Sequence, residues 1–155
     1  MLLPIMFLLL FSCKKDEDLK LYTQRIREFY DATESNLNPN VKGILVVQLN
    51  GGCSGCTGTG LSFIKENYNS PNANFIVSNW GSKMIKLKLG NEKLFMSSQI
   101  LKDGQQIAVK LGLINTFPVI YYLKNGIVVE KIILDAENIY EELAEFKLRI
   151  TRDIK

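Results

Sequence analysis

The 155-residue sequence contains no histidine. Histidine is the commonest general base and a common metal ligand, so its absence excludes Ser-His and Cys-His catalytic pairs within this chain. The net charge is small as well, +3 at pH 7. The lysines that produce it are interspersed, without the clustered arginine and aromatic residues that a nucleic-acid groove requires. The sequence therefore predicts no nucleic-acid partner, and any chemistry must depend on other side chains.

Long hydrophobic runs are also scarce, although 46% of the residues are hydrophobic, which suffices for one compact core. The exception is residues 1–12 (MLLPIMFLLLFS), which carry no charge. This run is too short to cross a hydrocarbon core, which takes ~20 helical residues, but it suits the apolar region of a signal peptide. The alternative is a buried N-terminal element. The run has no polar face, however, and the charged residues 14–18 (KKDED) follow almost at once.

The end of this run, residues 10–13 (LFSC), resembles a bacterial lipobox. The resemblance implies a signal peptide over residues 1–12, a lipid on Cys13, a charged tether over 13–18 and a bacterial cell-envelope location. The acidic residues of the tether are similar to a signal that routes some lipoproteins to the outer face of the outer membrane. The outer membrane is the expected location, and its periplasmic and surface faces both stay open.

Lipidation at Cys13 would also resolve the odd number of cysteines. The chain has three, so a lipid on the first leaves Cys53 and Cys56. Disulfides persist in oxidising compartments such as the bacterial envelope, and we expect these two cysteines to form a pair there.

The first half of the chain shows a helix, a strand and a second helix. Apolar residues at three- and four-residue spacing predict an amphipathic helix over 19–36, and the residues after it (LNPN, 37–40) indicate a turn. Residues 44–49 (ILVVQL) are typical of a strand covered on both faces. Helical spacing resumes over 61–68, which places the two cysteines between a strand and a helix.

The second half predicts further strands and helices. We expect a strand over 74–78, a helix over 82–89, a short strand over 93–96 and a helix over 105–111 closed by Gly112. The Asn125-Gly126 pair predicts an antiparallel hairpin of strands 119–123 and 127–133. A final amphipathic helix should follow Asp135, which we expect to act as its cap.

This order resembles the thioredoxin superfamily over residues 41–150. The resemblance depends on the CxxC motif (CSGC, 53–56) after the strand, on Thr116-Phe117-Pro118 before the hairpin, and on the Asn-Gly turn. It implies an α/β fold, a three-layer α/β/α sandwich with a central mixed sheet, forming one domain over 19–155. Residues 80–100 would be an insertion like that of the envelope-tethered relatives.

The same resemblance implies a thiol-disulfide oxidoreductase that acts on protein or peptide thiols and disulfides with an envelope electron donor or acceptor. Cys53 would be the nucleophile and Cys56 the resolving thiol. A cysteine at a helix N-terminus is expected to have a lowered pKa. Thr116, Phe117 and Pro118 would bind the substrate, with Pro118 preceded by a cis bond. No cofactor and no metal are implied.

Two departures from the family favour an alternative function. Gly52 stands where many relatives have tryptophan, and Val47 or Gln48 lies where thioredoxins bury a carboxylate that assists proton transfer. The alternative is a redox-inactive, thioredoxin-like binding lipoprotein with a structural Cys53–Cys56 disulfide. A zinc site would need four ligands, and no histidine or further cysteine is available to complete it, whereas copper(I) held by two thiolates stays open.

The aromatic residues near the end of the predicted sheet are assigned no functional role. Tyr121, Tyr122 and Trp80 could line a peptide groove. Aromatic residues on strands more often belong to the core, however, and we expect that here.

Overall fold

The computed structural model describes the backbone of residues 4–152 and the side chains of residues 17–152. Six helices and five strands are present in this part of the chain. In chain order they are α1 Pro4–Ala32, β1 Gly43–Gln48, α2 Ser54–Asn67, β2 Ala73–Ser78, α3 Ser82–Leu89, α4 Glu92–Phe95, β3 Ile100–Asp103, α5 Ile107–Lys110, β4 Val119–Lys124, β5 Ile127–Ile133 and α6 Ile139–Thr151.

The five strands form one mixed sheet in the order β3-β2-β1-β4-β5. The strands β1, β2 and β3 run parallel, whereas β4 is antiparallel to both β1 and β5. In the middle of the sheet, Leu45 of β1 lies opposite Phe75 of β2 and Ile120 of β4. The predicted α/β class with a mixed sheet is confirmed.

Helices cover both faces of the sheet. Leu45 and Val47 point to a cluster that includes residues of α2, α3 and α6. Ile44 and Val46 point to the other face, where residues of α1 and α5 pack. Because both faces are buried, β1 is apolar along nearly its whole length instead of alternating with polar residues.

The first helix ends earlier than predicted, at Ala32 instead of near residue 36. Glu34 adopts a left-handed conformation with φ 50°. Its N–H donates to the carbonyl of Asp31 at 3.1 Å, and the N–H of Ser35 donates to the carbonyl of Tyr30 at 2.9 Å. These two bonds form a Schellman-type end that satisfies the last carbonyls of the helix. No helix in the described part of the chain has the length and apolar character that a membrane span requires.

Two predictions for the segment after β2 are wrong in detail. Residues 93–96 were expected as a strand, but Glu92–Phe95 is a helical turn, because the Asn91 side chain accepts the N–H of Lys93 at 2.8 Å and caps it. The sequence did not indicate β3, a four-residue edge strand that pairs with β2.

The helix predicted over 105–111 is shorter and begins at Ile107. The buried Asp103 carboxylate accepts the N–H groups of Ile107 and Ala108 at 2.8 and 2.9 Å, which fixes where the helix starts. Gly112 follows its end with φ 67°, as expected of a glycine after a helix.

The helix predicted over 61–68 begins earlier, at Ser54, so that Cys56 lies inside α2. Two other elements agree with the predictions. Helix α3 spans Ser82–Leu89, and the β4–β5 hairpin turns at Asn125 and Gly126, both with positive φ. The prediction that Asp135 caps the last helix is wrong, because Asn138 is the N-cap of α6. The Asp135 carboxylate instead accepts the N–H groups of Glu137 and Asn138 in the turn before the helix.

Candidate redox site

Cys53 and Cys56 form a disulfide at the junction between β1 and α2. Their Cα atoms are 5.3 Å apart. Cys53 is the N-cap of α2, with an extended backbone (φ −114°, ψ 95°), and its Sγ accepts the N–H of Cys56 at 3.2 Å. Its carbonyl accepts the N–H of Thr57 at 2.9 Å. The expected pairing and its strand-to-helix position are both present, and the N-terminal N–H groups of α2 face the sulfur of Cys53.

The two cysteines differ in accessibility. Cys56 is 2% exposed and belongs to the core cluster that also contains Val47. Cys53 is partly exposed, and Ser54 and Gly55 after it are exposed. An incoming thiolate can therefore approach the sulfur of Cys53, whereas packed side chains surround Cys56.

The loop before β4 lies directly against the disulfide loop. The N–H of Gly52 donates to the carbonyl of Thr116 at 3.1 Å. Pro118 is buried, and a Cβ placed on Gly60 of α2 would lie 3.8 Å from its ring. Phe117 is partly buried against the core cluster of α2 and α6. Thr116, Phe117 and Pro118 thus lie beside the disulfide, and their role in substrate binding stays a prediction.

The cis bond expected before Pro118 is not found. Residues 4–152 contain no cis peptide bond. The trans form of an X-Pro bond is favoured by about 0.5–1 kcal/mol, so trans is the ordinary state of such a bond. The carbonyl of Pro118 accepts the N–H of Leu134 at 2.8 Å and extends the pairing of β4 with the chain after β5.

Among the described side chains, no carboxylate is buried beneath the disulfide. The fully buried Val47 shares the core cluster of Cys56 and occupies that place. The carbonyl of Gln48 accepts the hydroxyl of Thr57 at 3.3 Å. Asp103 is the only buried acid among the described side chains. Its carboxylate accepts the hydroxyl of Ser78 at 2.8 Å and the N–H of Ile107 at the start of α5. The sequence left Val47 and Gln48 open for this position, and the structure places Val47 there.

Steric contact with Thr116 explains why residue 52 is glycine. A Cβ at Gly52 would lie 2.5 Å from Cγ2 of Thr116, well inside van der Waals contact. Any residue with a Cβ at this position would therefore require the Thr116 side chain to rotate away or its loop to move.

Trp80 was expected in the core, but it is 65% exposed. It follows the C-terminal end of β2, and the side-chain amide of Asn79 donates to its carbonyl at 3.0 Å. The ammonium of Lys110 is 5.6 Å from its ring centroid. The sequence did contain one signal of an exposed position for Trp80, since it comes just after a parallel strand and before Gly81. Ligands of α/β sheets bind at the carboxyl ends of such strands. Tyr121 and Tyr122 are buried, as expected.

Tyrosines with shifted pKa values lie at the other end of the sheet. Burial raises the pKa of Tyr30 to about 12, although its hydrogen bond from Asn74 opposes the shift. Burial also raises the pKa of Tyr122 to about 12, and the nearby Arg149 opposes it. Asn74 and Tyr122 pair with Ile44 and Gly43 at the start of β1, whereas the disulfide follows its end. These tyrosines are therefore not part of the redox site.

Among the side chains that the structure describes, no group of three or more histidine, cysteine, aspartate or glutamate residues could hold a metal ion. No family model, curated protein or solved structure matches the chain.

Proposed function

We propose that this chain is a thiol-disulfide oxidoreductase that exchanges its Cys53–Cys56 disulfide with protein or peptide thiols. The observation that carries the proposal is the asymmetry of the pair at a helix N-terminus. Cys53 is partly exposed at the N-cap of α2, and Cys56 is buried behind it. This arrangement offers one sulfur for attack and keeps the other for resolution.

In the oxidising direction, a substrate thiolate attacks Sγ of Cys53. The Cys53–Cys56 bond breaks, Cys56 leaves as a thiolate, and a mixed disulfide joins Cys53 to the substrate. A second substrate thiolate then attacks the substrate sulfur of the mixed disulfide, and Cys53 leaves as a thiolate. Two electrons pass from the substrate to the two cysteines, which take up the two protons that the substrate thiols release. Reduction of a substrate disulfide is the reverse sequence.

The helix N-terminus stabilises the Cys53 thiolate in this cycle. The N–H of Cys56 already points at Sγ of Cys53 at 3.2 Å, and the positive end of the helix dipole favours negative charge at that atom. The thiolate is both the nucleophile and the better leaving group, so this stabilisation promotes exchange.

The fold that we propose for this activity is a thioredoxin-like three-layer α/β/α sandwich. It is supported by the order of β1, CxxC, α2 and β2, by the antiparallel β4–β5 hairpin, and by helices on both sheet faces. The contact between Gly52 and Thr116 adds support, because it places the loop before β4 beside the disulfide.

We further propose that the protein is anchored in the bacterial cell envelope through a lipid on Cys13, with an envelope protein as electron donor or acceptor. This part of the proposal is supported by the lipobox-like residues 10–13 and by the charged tether after them. Cys13 lies outside the residues whose side chains the structure describes.

A second candidate function is a redox-inactive binding lipoprotein with a structural disulfide. The burial of Val47 in the core cluster of Cys56 favours it, because this cluster contains no acid among the described residues to move a proton to the resolving thiol. Turnover distinguishes the two functions.

The test is reduction of an unrelated disulfide peptide with dithiothreitol as electron source. The full chain should carry Cys13→Ser, so that the only thiols are those of the pair. We expect turnover above the dithiothreitol background, loss of turnover in Cys53→Ser, and a trapped mixed disulfide in Cys56→Ser. Ser54→Ala, between the cysteines, is the matched control and should retain activity. If the chain carrying only Cys13→Ser turns over the peptide no faster than the Cys53→Ser variant, the oxidoreductase function is refuted and the binding protein is favoured.

A further inference from the structure

An apolar groove lies on α3 and α4. It includes Trp80, which follows β2 at the same end of the sheet at which the disulfide follows β1. Its volume is about 640 Å³, and exposed Trp80, Met84 and Leu87 form its apolar surface. Lys83, Lys86 and Glu92 also line it. We call it the α3–α4 groove.

The apolar residues of the groove are not needed by the core. Helix α3 buries Ile85 and Leu89, which lie four residues apart on its inner face. Met84 is 41% exposed and Leu87 is 70% exposed on the outer side. One helical stripe explains the packing of α3 on the sheet, so the second apolar stripe indicates a contact with something else.

The segment that forms the groove, residues 82–95, is positively charged, and we call this segment the lysine rim; of its lysines, Lys83 and Lys86 line the groove itself. Residues 82–95 contain four lysines and one acidic residue, Glu92. Lys86 pairs with Glu92 at 2.7 Å. Lys83 and Lys88 are exposed and form no ion pair among the described residues. A partner with acidic groups would therefore be complementary to this rim.

The connection that carries Trp80, at one end of the groove, is held by backbone hydrogen bonds to its neighbours. The N–H of Gly81 donates to the carbonyl of Gly104 at 2.9 Å, and the N–H of Asn79 donates to the carbonyl of Asp103 at 3.0 Å. The N–H of Leu49 donates to the carbonyl of Ser78 at 3.0 Å. The connection that carries Trp80 therefore starts beside the connection that carries the cysteines.

We propose that the α3–α4 groove docks the protein substrate, and that the substrate segment has an apolar anchor flanked by aspartate or glutamate. The inference rests on the proposed function, because the groove would position a substrate cysteine for Cys53. A concave surface suits a protruding side chain better than a flat membrane surface, and the lysine rim selects acidic flanks.

The test uses the intrinsic fluorescence of Trp80, the single tryptophan of the chain. Two synthetic peptides without cysteine would carry the same leucine and phenylalanine anchor, one flanked by aspartate and glutamate, the other by lysine. Titrated into the full chain carrying Cys13→Ser, the acidic peptide should change the Trp80 emission saturably. It should bind about tenfold more tightly than the lysine peptide, and added salt should weaken it.

Exposed residues on α6 supply matched controls. Leu87→Ser should weaken binding about tenfold, as expected for the loss of one buried leucine, and Lys83→Glu about threefold. Leu148→Ser and Lys147→Glu change exposed residues of α6 and should leave binding unchanged. Equal affinity for the two peptides, or equal effects of Leu87→Ser and Leu148→Ser, would overturn the proposal.

Vesicles of anionic phospholipid test a membrane as the alternative occupant. A blue shift of Trp80 with vesicles and none with the acidic peptide would overturn peptide docking.

Because the peptides contain no cysteine, binding is measured independently of turnover. Binding without turnover would support the docking site and refute the oxidoreductase, whereas turnover of a small disulfide without peptide binding would refute the docking site alone.

Discussion

Gly52→Ala should destabilise the oxidised protein through a single contact. A Cβ at residue 52 would lie 2.5 Å from Cγ2 of Thr116, whereas ordinary contacts begin near 3.4 Å. Thr116 is exposed and can rotate away at a cost of about 0.5–1.5 kcal/mol for an off-rotamer side chain. Strain on the hydrogen bond from Gly52 to the Thr116 carbonyl adds to this cost, and the lower chain entropy of alanine offsets about 0.5 kcal/mol. We expect a net loss of about 1 kcal/mol.

The same substitution should be nearly neutral in a Thr116→Ser background, because serine has no Cγ2. The double-mutant cycle consists of the parent chain, Gly52→Ala, Thr116→Ser and the double variant, all with Cys13→Ser and an oxidised Cys53–Cys56 pair. Urea denaturation of these four proteins gives the coupling free energy between the two residues. We expect about 1 kcal/mol of coupling. An equal loss of stability from Gly52→Ala in both backgrounds would refute the contact and the loop arrangement that it represents.

Three further predictions concern the structure that supports the site. Asp103→Asn should cost about 2 kcal/mol in urea denaturation, because an amide nitrogen cannot accept the N–H of Ala108; an unchanged midpoint would contradict this. Phe146→Ala should cost about 3–5 kcal/mol, since the ring is fully buried, whereas Leu148→Ala on the same helix should cost little; similar losses would contradict the packing. The pKa values of Tyr30 and Tyr122 are raised to about 12 in the folded state, which therefore favours the neutral phenols. Their contribution to the free energy of unfolding should be complete below pH 10.0 and should be lost as the pH rises toward 12. Equal unfolding free energies at pH 9 and pH 11 would contradict this, and Tyr122→Phe should reduce the fall.

The parts of the fold that the sequence predicted well are those determined by local residues. The β4–β5 hairpin follows from Asn125 and Gly126, which take the positive φ that a tight turn requires. The short, mostly β-branched apolar run of β1 predicted a strand covered on both faces, because such runs are typical of strands buried between two layers of helices.

The errors arose where a distant residue or a cap outside the pattern decides the structure. The three apolar residues that follow Lys93 fit either a strand or a helical turn, and the Asn91 cap before them selects the turn. Strand β3 exists through its pairing with β2, and Asp103 at its end also sets the start of α5.

The same distinction holds for the candidate site. Cys53 and Cys56 were predicted as a pair, because their spacing and position after β1 are local features. The exposure of Trp80 was missed because the expectation that strand aromatics belong to the core outweighed its position in the connection just after β2. The alternation of side chains along β1 places Val47 in the core cluster of Cys56, a choice between neighbouring residues that the apolar run alone cannot make.

The redox potential of the Cys53–Cys56 pair tests the central proposal most directly. The full chain carrying Cys13→Ser would be equilibrated against glutathione or dithiothreitol buffers, and free thiols would then be trapped and counted. An exchangeable pair at the N-terminus of α2 should have a potential near or above about −270 mV. A potential below about −300 mV would mean a disulfide that resists reduction, would contradict the oxidoreductase, and would favour the binding protein with a structural disulfide.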